Sequence, residues 1–407
     1  MYPYQGRLRL MTDEFDDDKP LKGLTVFDAA QGVAGPSCAF LLAQNGADVI
    51  KVEPPRGDWV RQAGKKYGDL AAGYVNFNRG KRAICLDFKT EDGLKVAQRM
   101  AGSCDIVIES FRPGVMGRFG LDYKRVAIDN PSVIYCSISG FGPVGPNKDK
   151  PVTDVVAQSF TGWMGINKGN DGVPHKVGMT VMDVITGLYA HQAVSTALYR
   201  RAITGKGKFI EMNMMQAAAA FQGQKIIEHV KQDGNITVLG APTGTFPTSD
   251  GSINMSAREP DKFRSLCKLI GLPKLETDPR FDDWDKRIEN VSELTAIISE
   301  VTKTKSNAYW IEELDKLDII NGPTADYDDF LNHEQTKAAG YLSWVYHDGI
   351  GKIPMANIPG IPAFKPGPLA HAPHLGEHTE ELLASFDYGA EEVAALLGSG
   401  AAVKYAI

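Results

Sequence analysis

The sequence contains no GxGxxG after its first apolar strand, no GxxxxGK[ST], no GxSxG and no HExxH. These absences remove the phosphate-binding loops of dinucleotide and nucleoside triphosphate enzymes, the nucleophile elbow of serine hydrolases and the helix of zinc peptidases. Its five cysteines, Cys38, Cys85, Cys104, Cys136 and Cys267, are odd in number and scattered, with no CxxC pair. That excludes a zinc ribbon or a disulfide framework, and thiols in apolar runs are expected to be small buried hydrophobes in a reducing cytoplasm. No stretch approaches the run of about 18 apolar residues that crossing a membrane requires. Positive charge is not in excess either: 44 Lys and Arg stand against 50 Asp and Glu, mixed along the chain, for a net charge of −6. A nucleic-acid or anionic-membrane partner would need a basic face, so neither is expected. Residues 1–20 carry Arg7, Arg9 and an acidic run from Asp13 to Asp18 with no apolar segment behind them. This reads as a mobile arm and not as a signal peptide.

What is present suits a globular enzyme of 407 residues, 43% hydrophobic and 23% charged, enough for about two domains. From Leu21 onward, short apolar strands alternate with helical patterns. Residues 24–28 (LTVFD) are followed by a glycine-bearing loop and a helix over 37–45, then by a strand at 48–52 (DVIKV). The alternation repeats with strands near 82–87, 105–109 and 133–137 and helices at 91–100 and 123–128. It predicts an α/β fold with a doubly wound, mostly parallel, Rossmann-like sheet, and ligands at the carboxyl ends of its strands. A long helix is predicted over 184–203, an extended segment over 208–214 and a further helix from 216 to about 231. The expected organisation is a large domain at 21–215, a linker helix at 216–234 and a smaller α+β domain at 235–330. A return linker at 331–368 leads to C-terminal helices at 369–407 that rejoin the large domain.

Asp183 lies just ahead of the predicted long helix, where an aspartate is ordinarily an N-cap. The same position favours a carboxylate kept ionised and leaves backbone N–H donors for an oxyanion, so a nucleophilic role is the alternative. Asn78-Arg-Gly-Lys-Arg82 is either a solvated loop or a phosphate contact. Phe111, in Glu109-Ser-Phe-Arg-Pro-Gly114, either stacks on an adenine ring or belongs to a plain turn. The eight histidines suggest no cluster, and the spacing of His371, His374 and His378 around Pro373 does not suit a metal site.

Taken in order, these segments resemble the class III CoA-transferases, a superfamily that includes the formyl-CoA:oxalate and crotonobetainyl-CoA:carnitine enzymes and the α-methylacyl-CoA racemases. The resemblance runs from about Leu21 to the C-terminus. It is carried by Leu21-Lys-Gly-Leu with Ala34-Gly-Pro36, Gly46-Ala-Asp-Val-Ile-Lys-Val-Glu53, Asn78-Arg-Gly-Lys-Arg82 and Glu109-Ser-Phe-Arg-Pro-Gly114. Ser139-Gly-Phe-Gly142, Asp183 with Thr186-Gly187, Thr204-Gly-Lys-Gly207 and Thr245-Phe-Pro-Thr-Ser-Asp-Gly251 continue it. Asp278-Pro-Arg-Phe281 and Leu375-Gly-Glu-His-Thr379 complete it. The resemblance implies that Asp183 is the catalytic aspartate, carrying first the acyl group and then CoA. It implies CoA contacts at Val33, Ala34, Leu86, Ser110, Phe111, Arg118 and Met214, with Arg56, Arg82 and Arg118 meeting the phosphates. Pro54 stands where some relatives have an arginine, with Arg56 nearby, and Ser139 stands where formyl-CoA transferases carry a lysine. The resemblance further implies an interlocked homodimer.

The expected activity is therefore transfer of CoA from an acyl-CoA donor to a small carboxylic acid in the cytoplasm. CoA enters as substrate, and no tightly bound cofactor or metal is needed. A racemase of the same fold would place a histidine at Thr153, and a hydroxyl cannot perform that proton transfer at neutral pH. A nicotinamide oxidoreductase lacks its glycine loop. A silent CoA-binding subunit would have no need of Asp183.

Overall fold

The structure, a computed structural model, describes residues 19–169, 172–363 and 367–405. Most of the segment expected to form an N-terminal arm thus lies outside the described residues. The chain divides into two compact units: residues up to 223 together with those from 340 onward, and residues 224–339.

The first unit is built on a sheet of seven strands. Six of them are parallel: β1 (Thr25–Asp28), β2 (Asp48–Glu53), β3 (Arg82–Leu86), β4 (Ile106–Glu109), β5 (Ile134–Ser139) and β6 (Lys208–Asn213). Their spatial order is 3-2-1-4-5-6, and Ala402–Val403 adds an antiparallel edge beside β3. The order reverses between β1 and β4, which pair with Val26 opposite Ile106 and Asp28 opposite Ile108. Loops leaving the two strands there diverge and open a crevice, the usual ligand position of a doubly wound sheet.

Side-chain alternation along the strands supplies both faces with core. Phe27, Ile50, Val107 and Tyr135 enter one apolar cluster, and their chain neighbours Val26, Val49, Ile106, Ile134 and Cys136 enter the other. All five cysteines are buried free thiols. Helix α1 (Ala34–Gln44) begins three residues earlier than the sequence suggested, because Pro36 fits a first helical turn, where its missing N–H is no loss. Helix α2 (Glu91–Ser103) covers the first face, capped by the Thr90 hydroxyl on Gly93 N–H. Helix α3 (Asp154–Phe160) precedes α4 (Val181–Thr204), the predicted long helix, which packs on α1. The helix predicted from 216 is two pieces, α5 (Met214–Phe221) and Gly223–Lys231, interrupted at Gln222.

The segment expected to be a return linker contains a hairpin, Leu342–His347 paired with Gly351–Ala356. Val345 and His347 are buried while Trp344 and Tyr346 are exposed, the alternation of a half-covered ribbon. The second unit has a three-stranded antiparallel sheet, Thr243–Pro247, Ser252–Ser256 and Ile320–Pro323, with Pro260–Leu269, Val291–Thr302 and Asn307–Lys316 among its helices. Among the described residues, no helix is long and apolar enough to cross a membrane, and no group of side chains is arranged to hold a metal ion.

The histidines do form a cluster, contrary to the sequence reading. His371 stacks on His347 at 4.9 Å and lies 6.2 Å from His374, which stacks on Tyr405. His371 pairs with Glu377 at 2.9 Å and His374 with Asp69 at 2.6 Å. Short-range spacing could not reveal this, since His347 arrives on the hairpin and Asp69 from some three hundred residues away.

Candidate active site

The crevice at the strand-order reversal is a cleft of about 720 Å³. Loops after β1, β2, β4 and β5 and the first turn of α4 form its wall. The β1 loop is held from beneath by buried charge. Lys51, fully enclosed on β2, donates to the carbonyl of Ala30 and pairs with Asp58 at 2.8 Å. Asp58 in turn accepts the backbone N–H groups of Gly32 and Val60. Gly32 has φ +83°, a conformation that favours glycine, and a Cβ there would sit 2.8 Å from the exposed Trp59 indole, which would have to shift. Ser110 Oγ accepts Gln31 N–H at 2.9 Å and ties the β1 loop to the β4 loop. Glu109, at the end of β4, accepts Phe111 N–H at 2.8 Å, and burial lifts its carboxyl to about 7.

A second buried set braces β2. Arg61 grips Glu53 through two nitrogens at 2.7 and 2.8 Å, lies over the Tyr74 ring and donates to Pro373 O. The motif at 78–82 serves the scaffold as well. Lys81 is buried against Asp28 at 2.8 Å and donates to Pro36 O, Arg79 donates to Ala356 O, and Arg82 binds Asp48 and Glu381.

Of the residues singled out in the sequence, Val33, Ala34, Arg56, Ser110, Phe111, Ser139, Met214 and Asp183 line the cleft together. Three do not. Arg82 is engaged by its two carboxylates, Leu86 is wholly buried in the sheet core, and Arg118 is exposed away from the lining. The cleft gains cations that the sequence reading passed over: Arg112, Lys148 and Lys150 join Arg56 on its rim, and Trp59 adds an exposed indole. The available signal was Lys148-Asp-Lys150 after the glycine-rich turn that leaves β5.

Asp183 is the third residue of α4 and not its cap. Thr180 holds the cap position without a side-chain bond, and the buried carboxylate of Asp154 does the capping instead, accepting Met182 N–H at 2.6 Å and Asp183 N–H at 3.2 Å. Two of the N–H donors expected to be spare are therefore occupied. Asp183 itself is half-buried, and among the described residues no donor pairs with its carboxylate. Burial, with the Asp154 charge beside it, pushes its pKa up to about 7, so the carboxylate expected to stay fully ionised is shared between two protonation states near neutrality.

Close contact between α1 and α4 sets where Asp183 stands relative to Ala34. A Cβ on Gly187 would meet Ser37 Cβ at 2.7 Å and Ala34 O at 2.8 Å. Gly187→Ala is therefore expected to force the helices apart, costing about 1–3 kcal/mol in denaturant unfolding.

The sequence profile of CoA-transferase family III matches residues 21–379. The succinate–glutarate CoA-transferase of Agrobacterium fabrum is 31% identical over 394 residues, 93% of this chain and 98% of that protein. The acetyl-CoA:oxalate CoA-transferase of Acetobacter aceti is 34% identical over 79% of this chain and 85% of its own length. Among solved structures, a CaiB/BaiF family protein from Brucella suis superposes with a TM-score of 0.80 at 33% identity, spanning 91% of this chain and all of that one.

Proposed function

The chain belongs to CoA-transferase family III and is a CoA-transferase, and from this we propose that it moves CoA from an acyl-CoA to a small carboxylic acid by covalent catalysis on Asp183. The observation that carries the reading is a carboxylate without a donor partner, half-buried in the cleft at the strand-order reversal. A nucleophile must be both accessible and uncommitted to other bonds.

In the first step an Asp183 oxygen attacks the thioester carbonyl. The C–S bond breaks, and a mixed anhydride and CoA thiolate form. The thiolate then attacks the aspartyl carbonyl and expels the donor's acid, leaving an aspartyl-CoA thioester. The acceptor carboxylate attacks that thioester and releases the thiolate, giving a second anhydride. Attack of the thiolate on the acceptor's acyl carbon yields the new acyl-CoA and restores Asp183. No metal or redox step enters, and CoA comes and goes as substrate. Arg56, Arg112, Lys148 and Lys150 supply the positive rim suited to the phosphates of CoA, with charge-assisted bonds worth about 1.5–3 kcal/mol each. Val33, Ala34, Phe111 and Met214 give the adjoining wall an apolar surface, with Ser110 and Ser139 as its polar points.

Assembly as an interlocked homodimer, in the cytoplasm, belongs to the same reading. Leu188, Tyr199 and Ile203 on α4 and Phe221 on α5 stand exposed, apolar surface of the kind a partner subunit covers.

The test is incubation with donor alone, using a panel that includes succinyl-CoA and acetyl-CoA. Peptide mass spectrometry is expected to find acyl or CoA mass on the peptide holding Asp183, discharged by hydroxylamine. Labelling that follows no donor, or that falls on another residue, would defeat the mechanism.

A further inference from the structure

Asp154 is a buried carboxylate, 5% exposed, at the first position of α3. Among the described residues no cation pairs with it. Its partners are the Met182 and Asp183 N–H groups on one oxygen and the Gln158 amide on the other. Gln158, fully buried one turn further along α3, accepts Val177 N–H at 2.9 Å and donates to Met179 O at 3.3 Å. Together the two side chains grip the chain from 177 to 183 as it turns into α4. An asparagine at 154 would accept the same backbone bonds but would turn its NH2 toward the Gln158 NH2, whereas a carboxylate accepts on both oxygens. The acid therefore joins Gln158 to the α4 turn as well as capping it, and it does so against the backbone of Asp183 itself.

We propose that Asp154 is the positioning residue for Asp183: it fixes the first turn of α4 through the backbone and sets its carboxylate beside the nucleophile. This rests on the covalent role of Asp183 proposed above. The other charged groups facing the site are Arg56, Arg112, Lys148 and Lys150 around the rim, and Asp154, at the start of α3, itself lines the cleft. The raised pKa of Asp183, due first to burial and then to Asp154, agrees with that placement. The chemical gain lies in the first step, the attack of Asp183 on the thioester carbonyl. A more basic carboxylate is a stronger nucleophile and a poorer leaving group.

The test is a titration of the Asp183 carboxyl by carbon-13 NMR in the full chain, without substrate, compared between wild type and Asp154→Asn. The midpoint is expected near neutrality in wild type and lower by about one pH unit or more in the variant, since removal of a like charge favours ionisation. The acid limb of donor labelling should move with it, and Asp154→Ala should in addition slow labelling at every pH by loosening the α4 turn. A wild-type midpoint in the ordinary aspartate range, or one that Asp154→Asn leaves in place, overturns the proposal. If Asp154→Asn does not fold, Asp154→Ser removes the charge while keeping an acceptor, and the same midpoints decide. Because the titration needs no transfer, a shifted midpoint in a protein that labels with no donor would sink the covalent reading and leave the electrostatic role of Asp154 standing.

Discussion

Asp183→Asn is expected to lower CoA transfer at least about a thousandfold while leaving the protein folded and able to bind CoA. The amide keeps the size of the side chain but is a far poorer nucleophile, and the reaction offers no bypass once the anhydride cannot form. Transfer rates, isothermal titration with CoA and peptide mass spectrometry check the three parts. A variant that retained wild-type rates would exclude Asp183 as nucleophile. Stability should move the other way. The carboxyl of Asp183 is raised to about 7 in the folded protein, above the ordinary value of about 3.9. Folding therefore disfavours its ionisation, and the penalty grows as pH rises from about 4 to about 7 and stays constant above. Asp183→Asn escapes it. At pH 8 the variant should be more stable by about 1–2 kcal/mol, after allowance for partial solvent access, and the gain should vanish below pH 4. Denaturant melts at the two pH values read this directly.

The second large effect is expected under the β1 loop. Lys51→Met leaves Asp58 buried without its cation, and breaking a buried pair from one side costs about 3–5 kcal/mol. The same change removes the donor to Ala30 O and loosens the loop that carries Val33 and Ala34, so transfer should fall as well. Adding Asp58→Leu removes the stranded charge and should recover part of the stability. It should not recover transfer, because Gly32 N–H then has no acceptor. Equal stability of Lys51→Met and wild type would show that the pair bears no load.

Much of this site could be read from the chain because it is local. Strand–helix alternation placed the carboxyl ends of β1, β4 and β5, and the segments at 31–34, 110–113 and 138–140 all reach the cleft. Charge was harder to interpret. Arg79, Lys81 and Arg82 read as surface or ligand-binding cations, since a lysine looks the same whether its partner is water or a buried acid. The partner of Lys81, Asp28, is 53 residues away. The start of α4 was missed for a related reason. Its cap, Asp154, comes from 28 residues upstream of Met182, and no local cap residue marks the boundary. The hairpin at 342–356 did have a signal, alternation around Asp348-Gly349, but its second strand runs into the proline- and glycine-rich stretch at 353–368, which read as linker.

The first unit draws on both ends of the described chain. Leu382 and Leu383 complete the core beneath β3, Ala402 pairs with Leu86, and Pro373 O receives Arg61. On the ribosome, β1 to β6 are therefore synthesised well before the residues that close one sheet edge and satisfy a buried guanidinium. Residues 224–339 make their internal contacts among themselves and can mature in the interval. Throughout that delay the nascent sheet keeps an open strand at β3 and an uncovered apolar face. The slow, aggregation-exposed phase of biogenesis should therefore be the wait for the segment at 369–403, whose arrival also closes loops of several hundred residues.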